Sequence, residues 1–225
     1  MVRDEAGNSG TRTTWHVLRV SLPVTMAVVL GVSSAWLYFR PTTPHLNHLP
    51  LIRQSTPYTC GVAALQSVLR YYGQEWREDN LARELKSTPD QGTDYREIVR
   101  FARAKGLAVE VRESMTVDDL RAAVAAGRPV MVALQAWSDH PETYASSWED
   151  GHYSIVVGFD NRSFYFMDPS TLGNYTFIPS SEFLARWHDY YTDRDGRKVR
   201  LEHFGIIFDS KSKPVYDPEA LMPLR

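Results

Sequence analysis

The chain has 225 residues, 43% of them hydrophobic and 12% aromatic, which is enough to build the core of one globular domain. Its formal net charge of −2 gives no reason to expect nucleic acid or an acidic surface as a partner. The chain contains 1 Cys, which excludes an internal disulfide and leaves a single thiol to be explained.

The first predicted element is an apolar segment, residues 20–39, which carries no charged residue. Its length is about that of a helix that crosses a bilayer, and aromatic residues gather at its far end. As a signal-anchor it would stay in the membrane, with residues 1–19 in the cytoplasm and the rest outside. As a signal peptide it would be cut near the small residues 33–35, and the domain would be exported. A buried core helix is the third interpretation, but the segment lacks a polar outer face.

A proline-punctuated stretch follows over residues 40–50 and predicts an extended linker. We place the globular domain at residues 51–208 and a C-terminal tail at 209–225. The first half of the domain has apolar residues at three- and four-residue spacing, which predicts helices. These predicted helices are 60–72, ended by Gly73, then 80–86, 94–105 and 116–127.

The second half of the domain is rich in β-branched and aromatic residues, which predicts strands. These strands are 129–134, 153–159, 163–167 and 204–208, and Asp160-Asn161-Arg162 joins the middle two as a hairpin. One more helix is predicted over 181–190. Helices followed by antiparallel strands indicate an α+β fold.

The single thiol, Cys60, is predicted to lie in the first turn of a helix, after a proline-containing loop. A helix N-terminus carries unpaired N–H groups and a partial positive charge, which stabilise a thiolate. Gly61 would leave the backbone beside the sulfur open to a substrate carbonyl. The alternative is an inert, buried cysteine that caps the helix.

A thiolate nucleophile needs a base and a group that orients the base. His152 begins a strand directly after Gly151 and can project into a cleft at the sheet edge. Antiparallel pairing brings the end of the next strand, at Asp168, beside this histidine. In the alternative interpretation, Asp168 has only a structural role and opens a turn with Pro169. The other histidines have ordinary structural explanations: His16, His45, His48, His140, His188 and His203.

Gln54 lies six positions before Cys60, on the loop that leads into the helix. Its amide N–H could point at the oxygen of a tetrahedral intermediate, beside the Cys60 backbone N–H. The alternative is an ordinary loop residue that faces solvent.

Together, the Gln-x5-Cys-Gly block, the Gly-His-Tyr strand and the Asp-Pro pair resemble the bacteriocin-processing cysteine peptidases. The resemblance extends from about Arg53 to Phe208, and includes Tyr71-Tyr72-Gly73 and Gly127-Arg-Pro-Val. It implies a papain-like fold, with the nucleophile helix packed on an antiparallel sheet. Some enzymes of that family are fused to peptide exporters and cut leader peptides after a double glycine.

Carried over to this chain, the resemblance implies Cys60 as nucleophile, His152 as base, Asp168 as orienting group and Gln54 as oxyanion donor. The expected reaction is hydrolysis of a peptide or isopeptide bond, with a peptide or protein substrate and without a metal or organic cofactor. Two alternatives stay open: a transpeptidase in which an amine resolves the thioester, and a non-catalytic peptide-binding module on a membrane tether.

Two further groups of residues invite a functional interpretation. Trp137, Tyr144, Trp148 and Tyr153 could line a substrate groove or belong to the core. His188 and Asp189 resemble an acid–base pair. If both lie on the predicted helix 181–190, however, adjacent positions do not face each other and cannot act together.

Overall fold

Most strands of the domain form one antiparallel sheet that helices cover on both faces, and two more form a separate small sheet. A computed structural model describes residues 45–138, 140–171, 173–193 and 195–220, which all belong to one compact unit, residues 42–225. The helices of this part of the chain are α1 (Cys60–Tyr71), α2 (Glu78–Glu84), α3 (Tyr95–Ala104), α4 (Val117–Ala125) and α5 (Ser180–Arg186).

Seven strands make the main sheet and two make a small separate sheet. The strands are β1 (His45–Leu46), β2 (Ala108–Arg112), β3 (Val130–Gln135), β4 (Gly151–Phe159), β5 (Ser163–Met167), β6 (Thr176–Pro179), β7 (His188–Thr192), β8 (Lys198–Glu202) and β9 (Gly205–Asp209). The main sheet has the order β2-β9-β3-β4-β5-β6, with β1 added to β4, and β7 pairs with β8 alone. All of these pairings are antiparallel.

Alternate residues of the central strands feed two separate cores. On β3, Met131 and Ala133 pack with α1, α2 and α3, whereas Val132 and Leu134 pack with α4 and α5. Every residue of β3 is therefore buried, which explains its continuous apolar sequence. The α+β prediction, with a helix on an antiparallel sheet, is confirmed.

The helix predictions for α1, α3 and α4 agree with the structure to within a few residues, and α4 begins with a full capping box between Thr116 and Asp119. The hairpin of β4 and β5 is also confirmed. Its turn is held by Asp160, whose carboxylate accepts from the N–H groups of Arg162 and Ser163. Helix α2 begins and ends two residues earlier than predicted.

The helix predicted over 181–190 is wrong in its second half, because α5 ends at Arg186 and β7 begins at His188. The apolar spacing continues to Trp187, which is fully buried, but its carbonyl accepts from the N–H of His203 instead of from a next helical turn. The aromatic and β-branched residues that follow then favour a strand.

Residues 45–50, assigned above to a linker, pack on the domain. The N–H of Asn47 donates to the carbonyl of Val157 at 2.7 Å, and Leu49 is only 1% exposed. The predicted membrane segment, residues 20–39, lies outside the described residues. Within the described ranges, no helix has both the length and the apolar character that spanning a bilayer requires.

Candidate active site

Cys60 is the first residue of α1 and is half-buried. The preceding residue, Thr59, takes the N-cap position but does not cap the helix with its side chain. Its hydroxyl turns back into the loop and donates to the carbonyl of Thr56. The first N–H groups of α1 therefore remain available for a negative charge at Cys60 or on a group bound to it.

His152 and Asp168 meet as their strand positions predicted. Met167 pairs with Ile155 across the β4–β5 ladder, so the next residue of the chain reaches the start of β4. The imidazole Nε2 lies 3.0 Å from Asp168 Oδ2, and both side chains are withdrawn from solvent, 1% and 15% exposed. Nδ1 is buried and has no hydrogen-bond partner among the described residues, and the Cys60 thiol lies near enough to act on the charge of the ring.

The second oxygen of Asp168 is held by the turn that follows. Oδ1 accepts from the backbone N–H of Ser170 at 2.8 Å, from the Ser170 hydroxyl at 2.5 Å and from the N–H of Thr171 at 3.1 Å. The sequence analysis did not assign a role to these two residues, although Asp-Pro-Ser-Thr is a pattern typical of such turns. They fix the carboxylate so that Oδ2 faces His152.

The charges of this pair stabilise each other. Burial opposes protonation of the imidazole, but the hydrogen bond to Asp168 and the influence of Cys60 and of the Asp168 charge outweigh it and raise the pKa of His152 to about 9. Burial would likewise raise the pKa of Asp168, but the hydrogen bond from His152 and those from Ser170 lower it to about 2. At neutral pH the pair is therefore imidazolium and carboxylate.

Gln54 lies on the loop that leads into Cys60, and this loop contacts the turn after Asp168. Its backbone N–H donates to the carbonyl of Pro169 at 2.9 Å, which ties the loop to the turn after Asp168. Its side-chain Nε2 donates to the carbonyl of Thr56 at 2.8 Å, while Oε1 is buried without a partner among the described residues. The side chain is thus not the solvent-facing one of the alternative interpretation, but no hydrogen bond joins it to Cys60.

Gly61 has a different role from the one expected. A Cβ added there would meet the Thr93 Cβ at 2.9 Å and the Tyr153 ring at 3.0 Å. The residue is buried and faces the interior, so it permits close packing of α1 on the sheet instead of opening the backbone to substrate. Tyr153, which packs against the first core, belongs to the interior as well.

The remaining aromatic candidates separate into surface and core. The Trp137 ring lies 4.6 Å from the His152 ring and is 52% exposed, so it covers the imidazole from the solvent side. Tyr144 is buried and donates its hydroxyl to the carbonyl of Ala136. Trp148 contacts the ring of His188, not His152.

Asp189, expected on a helix, lies on β7 beside the start of β4. Its two carboxylate oxygens are each 2.5 Å from the position of a Cβ added at Gly151, the residue before His152. His188 points elsewhere, and its Nε2 lies 2.8 Å from the carbonyl of Ser147. His188 and Asp189 therefore do not act as a pair, in agreement with the sequence analysis, although the reason is their alternation on a strand.

No three His, Cys, Asp or Glu side chains in the described part of the chain are grouped so that they could hold a metal ion.

The family model described as Peptidase_C39 like family matches residues 46–193 of the chain. The chain belongs to this family.

A curated relative of the C39-like chain is an uncharacterized protein of Methanothermobacter marburgensis, 32% identical over 121 residues, which are 53% of this chain and 71% of the relative. Two solved structures share the fold. One is a double glycine motif protease from an AMS/PCAT transporter in complex with the leader peptide, with a TM-score of 0.52, 21% identity and coverage of 78% of this chain and 98% of that one. The other is the peptidase domain of Streptococcus ComA, a bifunctional ABC transporter of a quorum-sensing pathway. Its TM-score is 0.54 and its identity 21%, and the match covers 73% of this chain and 100% of that one. These neighbours confirm the resemblance to bacteriocin-processing peptidases at the level of the fold.

Proposed function

We propose that the C39-like chain is a cysteine peptidase that hydrolyses peptide bonds through Cys60, His152 and Asp168. The observation that carries the proposal is the meeting of these three side chains, in a chain that belongs to a peptidase family. The thiol is at a helix N-terminus without a side-chain cap, it lies near enough to the imidazole to act on its charge, and the carboxylate lies 3.0 Å from the imidazole.

In the reaction, the proton of Cys60 resides on His152 as part of a thiolate–imidazolium pair, and the thiolate attacks the carbonyl carbon of the substrate. The tetrahedral intermediate collapses when His152 gives its proton to the leaving amine and the C–N bond breaks. Water, deprotonated by His152, then cleaves the thioester and releases the acid product. Asp168 holds the imidazole in one orientation and stabilises its cationic form throughout.

The oxyanion of the intermediate is stabilised by the backbone N–H of Cys60 and by the amide of Gln54. The amide carries two N–H protons and uses one on Thr56 before substrate binds. Either the second proton serves the oxyanion, or a rotation of the side chain supplies both. The tie between the Gln54 backbone and Pro169 keeps the amide on the loop next to the nucleophile.

For the substrate we propose a peptide or a protein segment, because a fold neighbour is a double glycine motif protease solved with its leader peptide. We further propose that residues 20–39 tether the peptidase to a membrane, with the domain outside the cytoplasm. Alkaline carbonate extraction of the full chain tests the tether, since an integral segment stays with the lipid pellet. Release of the whole chain into the supernatant would refute it.

The peptidase activity is tested by incubating the protein with a mixture of defined peptides and reading the new termini by mass spectrometry. Wild type is expected to give cleaved products that Cys60→Ser does not give. Products with a free carboxylate indicate hydrolysis, whereas products joined to an added amine indicate transfer. A wild type that alters no peptide in the mixture, or a Cys60→Ser variant that keeps full activity, would contradict the proposal.

A further inference from the structure

The carboxylate of Asp189 lies beside Gly151, the residue before the proposed catalytic base His152, and has no role assigned so far. Its carboxylate comes from β7 of the small sheet and fills the space that a side chain at position 151 would occupy. Because Gly151 precedes His152 on β4, Asp189 contacts the backbone one residue away from the imidazole. The imidazole of His152 therefore lies near enough to favour the charged form of the Asp189 carboxylate.

A buried amide fixes Asp189 in this place. Gln135, which is 0% exposed, donates its Nε2 to the carbonyl of His188 at 3.2 Å and accepts the N–H of Asp150 at 3.0 Å. It thereby locks β7 to the turn before β4, and its amide lies near enough to favour the charged form of the Asp189 carboxylate. The N–H of Tyr190 donates to the same carboxylate at 2.8 Å.

Asp189 nevertheless lacks a close counter-ion: none of the ion pairs within 4.0 Å among the described residues includes it, whereas Asp94, the N-cap residue of α3, is paired with Arg96 at 2.6 Å. Burial raises the pKa of Asp189 to about 7, against the opposing influence of its hydrogen bonds, of His152 on β4 and of Lys198 on β8. Tyr153, whose hydroxyl feels the charge of Asp189, supplies no positive charge. Burying a carboxylate without a counter-ion costs free energy, and such groups concentrate at functional sites.

We propose that Asp189 is a specificity residue that binds a cationic group of the peptide substrate, an ammonium or a guanidinium, beside the bond that Cys60 attacks. The inference rests on the proposed function. The cation would come from a Lys or Arg side chain or from a free amino terminus, and in each case it would supply the charge that Asp189 lacks. The glycine at position 151 is then required because the carboxylate occupies its side-chain space.

The test uses the single thiol of the chain as a reporter, so that no substrate has to be known. Two methanethiosulfonate reagents of similar size are compared on the full protein, one carrying a trimethylammonium group and the other a sulfonate. In both, the Cys60 thiolate forms a mixed disulfide and releases methanesulfinate. Neutral iodoacetamide measures the intrinsic reactivity of the thiol. The variants are Asp189→Asn and, as a matched control, Asp118→Asn, whose carboxylate is 95% exposed on α4.

We expect wild type to favour the cationic reagent, and Asp189→Asn to reduce the cation-to-anion rate ratio by roughly tenfold, with iodoacetamide reactivity retained. Asp118→Asn should leave the ratio unchanged. In wild type the ratio should also rise as the pH passes from 6 to 8, because Asp189 becomes negative over this range. A peptide mixture cleaved by wild type should show Lys or Arg at one position, or cleavage near unblocked amino termini, and Asp189→Asn should lose that selection.

The outcomes separate the two proposals. If Cys60 is activated toward iodoacetamide but the rate ratio is the same in wild type and Asp189→Asn, the assignment of Asp189 is overturned and the proposed function stands. A ratio that stays flat from pH 6 to 8 in wild type would overturn it as well. If Cys60 of wild type reacts with iodoacetamide as an ordinary thiol at every pH, the proposed function itself fails and the inference falls with it.

Discussion

Asp168 performs at the same time two tasks that the sequence analysis treated as alternatives. Oδ1 holds the turn through Ser170 and Thr171, and Oδ2 holds His152. A carboxylate has two oxygens with separate lone pairs, so the turn role does not compete with the orienting role. The turn instead prepares the second oxygen for the imidazole.

At this residue we expect Asp168→Asn to lower kcat/KM by about 10²- to 10⁴-fold, because the amide oxygen would stay with the N–H groups of Ser170 and Thr171, and the NH2 group then facing His152 cannot accept from the imidazolium. The matched control is Asp160→Asn, since Asp160 holds the β4–β5 turn with the same kind of bonds. Both variants should lose stability in urea unfolding because both weaken a turn, but only Asp168→Asn should lose activity against a peptide that wild type cleaves. Equal activity in the two variants would contradict the orienting role.

The same pair gives the folded state a defined pH dependence. The folded-state pKa of His152, about 9, lies above its ordinary value of 6.5, so the folded protein keeps a proton that the unfolded chain releases. This contribution to the free energy of unfolding is complete below pH 6.5 and is lost as the pH rises through 9. Unfolding in urea at several pH values should show this decline in wild type and a shallower one in Asp168→Asn. A wild type whose stability does not fall between pH 7 and 9.5 would contradict the ion pair.

At the scale of elements, the start of β4 is where three parts of the chain meet. Gly151 contacts Asp189 of β7, His152 contacts Asp168 at the end of β5, and Tyr153 contacts Gly61 of α1. Strand alternation puts His152 on one face and Gly151 and Tyr153 on the other, where they contact β7 and α1. The start of β4 therefore links α1 to the small sheet.

Gly151→Ala should destabilise the protein by about 1–3 kcal/mol, because the new Cβ would lie 2.5 Å from both Asp189 oxygens. The cost should shrink when Asp189 is also shortened. Urea unfolding of Gly151→Ala, Asp189→Ala and the double variant measures this coupling. Strictly additive effects would show that the two residues do not share the space.

The elements that periodicity predicts well are those with one apolar face or a run of core residues, such as α1, α3, β4 and β5. Strands β7 and β8 were not predicted because they form a separate, largely polar ribbon with few buried residues. Their position next to β4 depends on Gln135, more than fifty residues before His188, and a local pattern cannot reveal such a contact. For this reason the contact of His152 with Asp168 could be predicted from sequence, whereas the contact of Asp189 with Gly151 could not.

At the scale of the whole molecule, residues 45–50 are a packed part of the domain and not a linker that precedes it. Besides the contacts of Asn47 and Leu49, the carbonyl of Pro50 accepts from Ser67 of α1 at 2.6 Å, and that of Leu49 accepts from the Tyr175 hydroxyl at 2.6 Å. Prolines predicted an extended backbone here, but only His45–Leu46 form a strand, and the N–H of Leu49 then donates to the carbonyl of Asn47 at 3.0 Å in a tight turn. Composition could not show that it lies against α1 and β4.

Leu49→Ala should therefore cost about 2–5 kcal/mol of unfolding free energy, the range for a buried leucine. Leu51→Ala is the matched control, because Leu51 is 42% exposed and should cost much less. Chemical unfolding of the two variants gives the comparison. Similar losses in both would show that the segment before residue 51 is not part of the core.

The most direct test of the account is the rate at which iodoacetamide alkylates Cys60 between pH 4 and 9, in wild type and in His152→Ala. We predict that wild type reacts readily at pH 5 to 6, where a free thiol with a pKa of about 8.5 is almost fully protonated. His152→Ala should lose this low-pH reaction and follow the curve of a free thiol. If wild type also follows that curve, or if both proteins react equally at low pH, Cys60 and His152 do not form a nucleophile and base, and the peptidase assignment is contradicted.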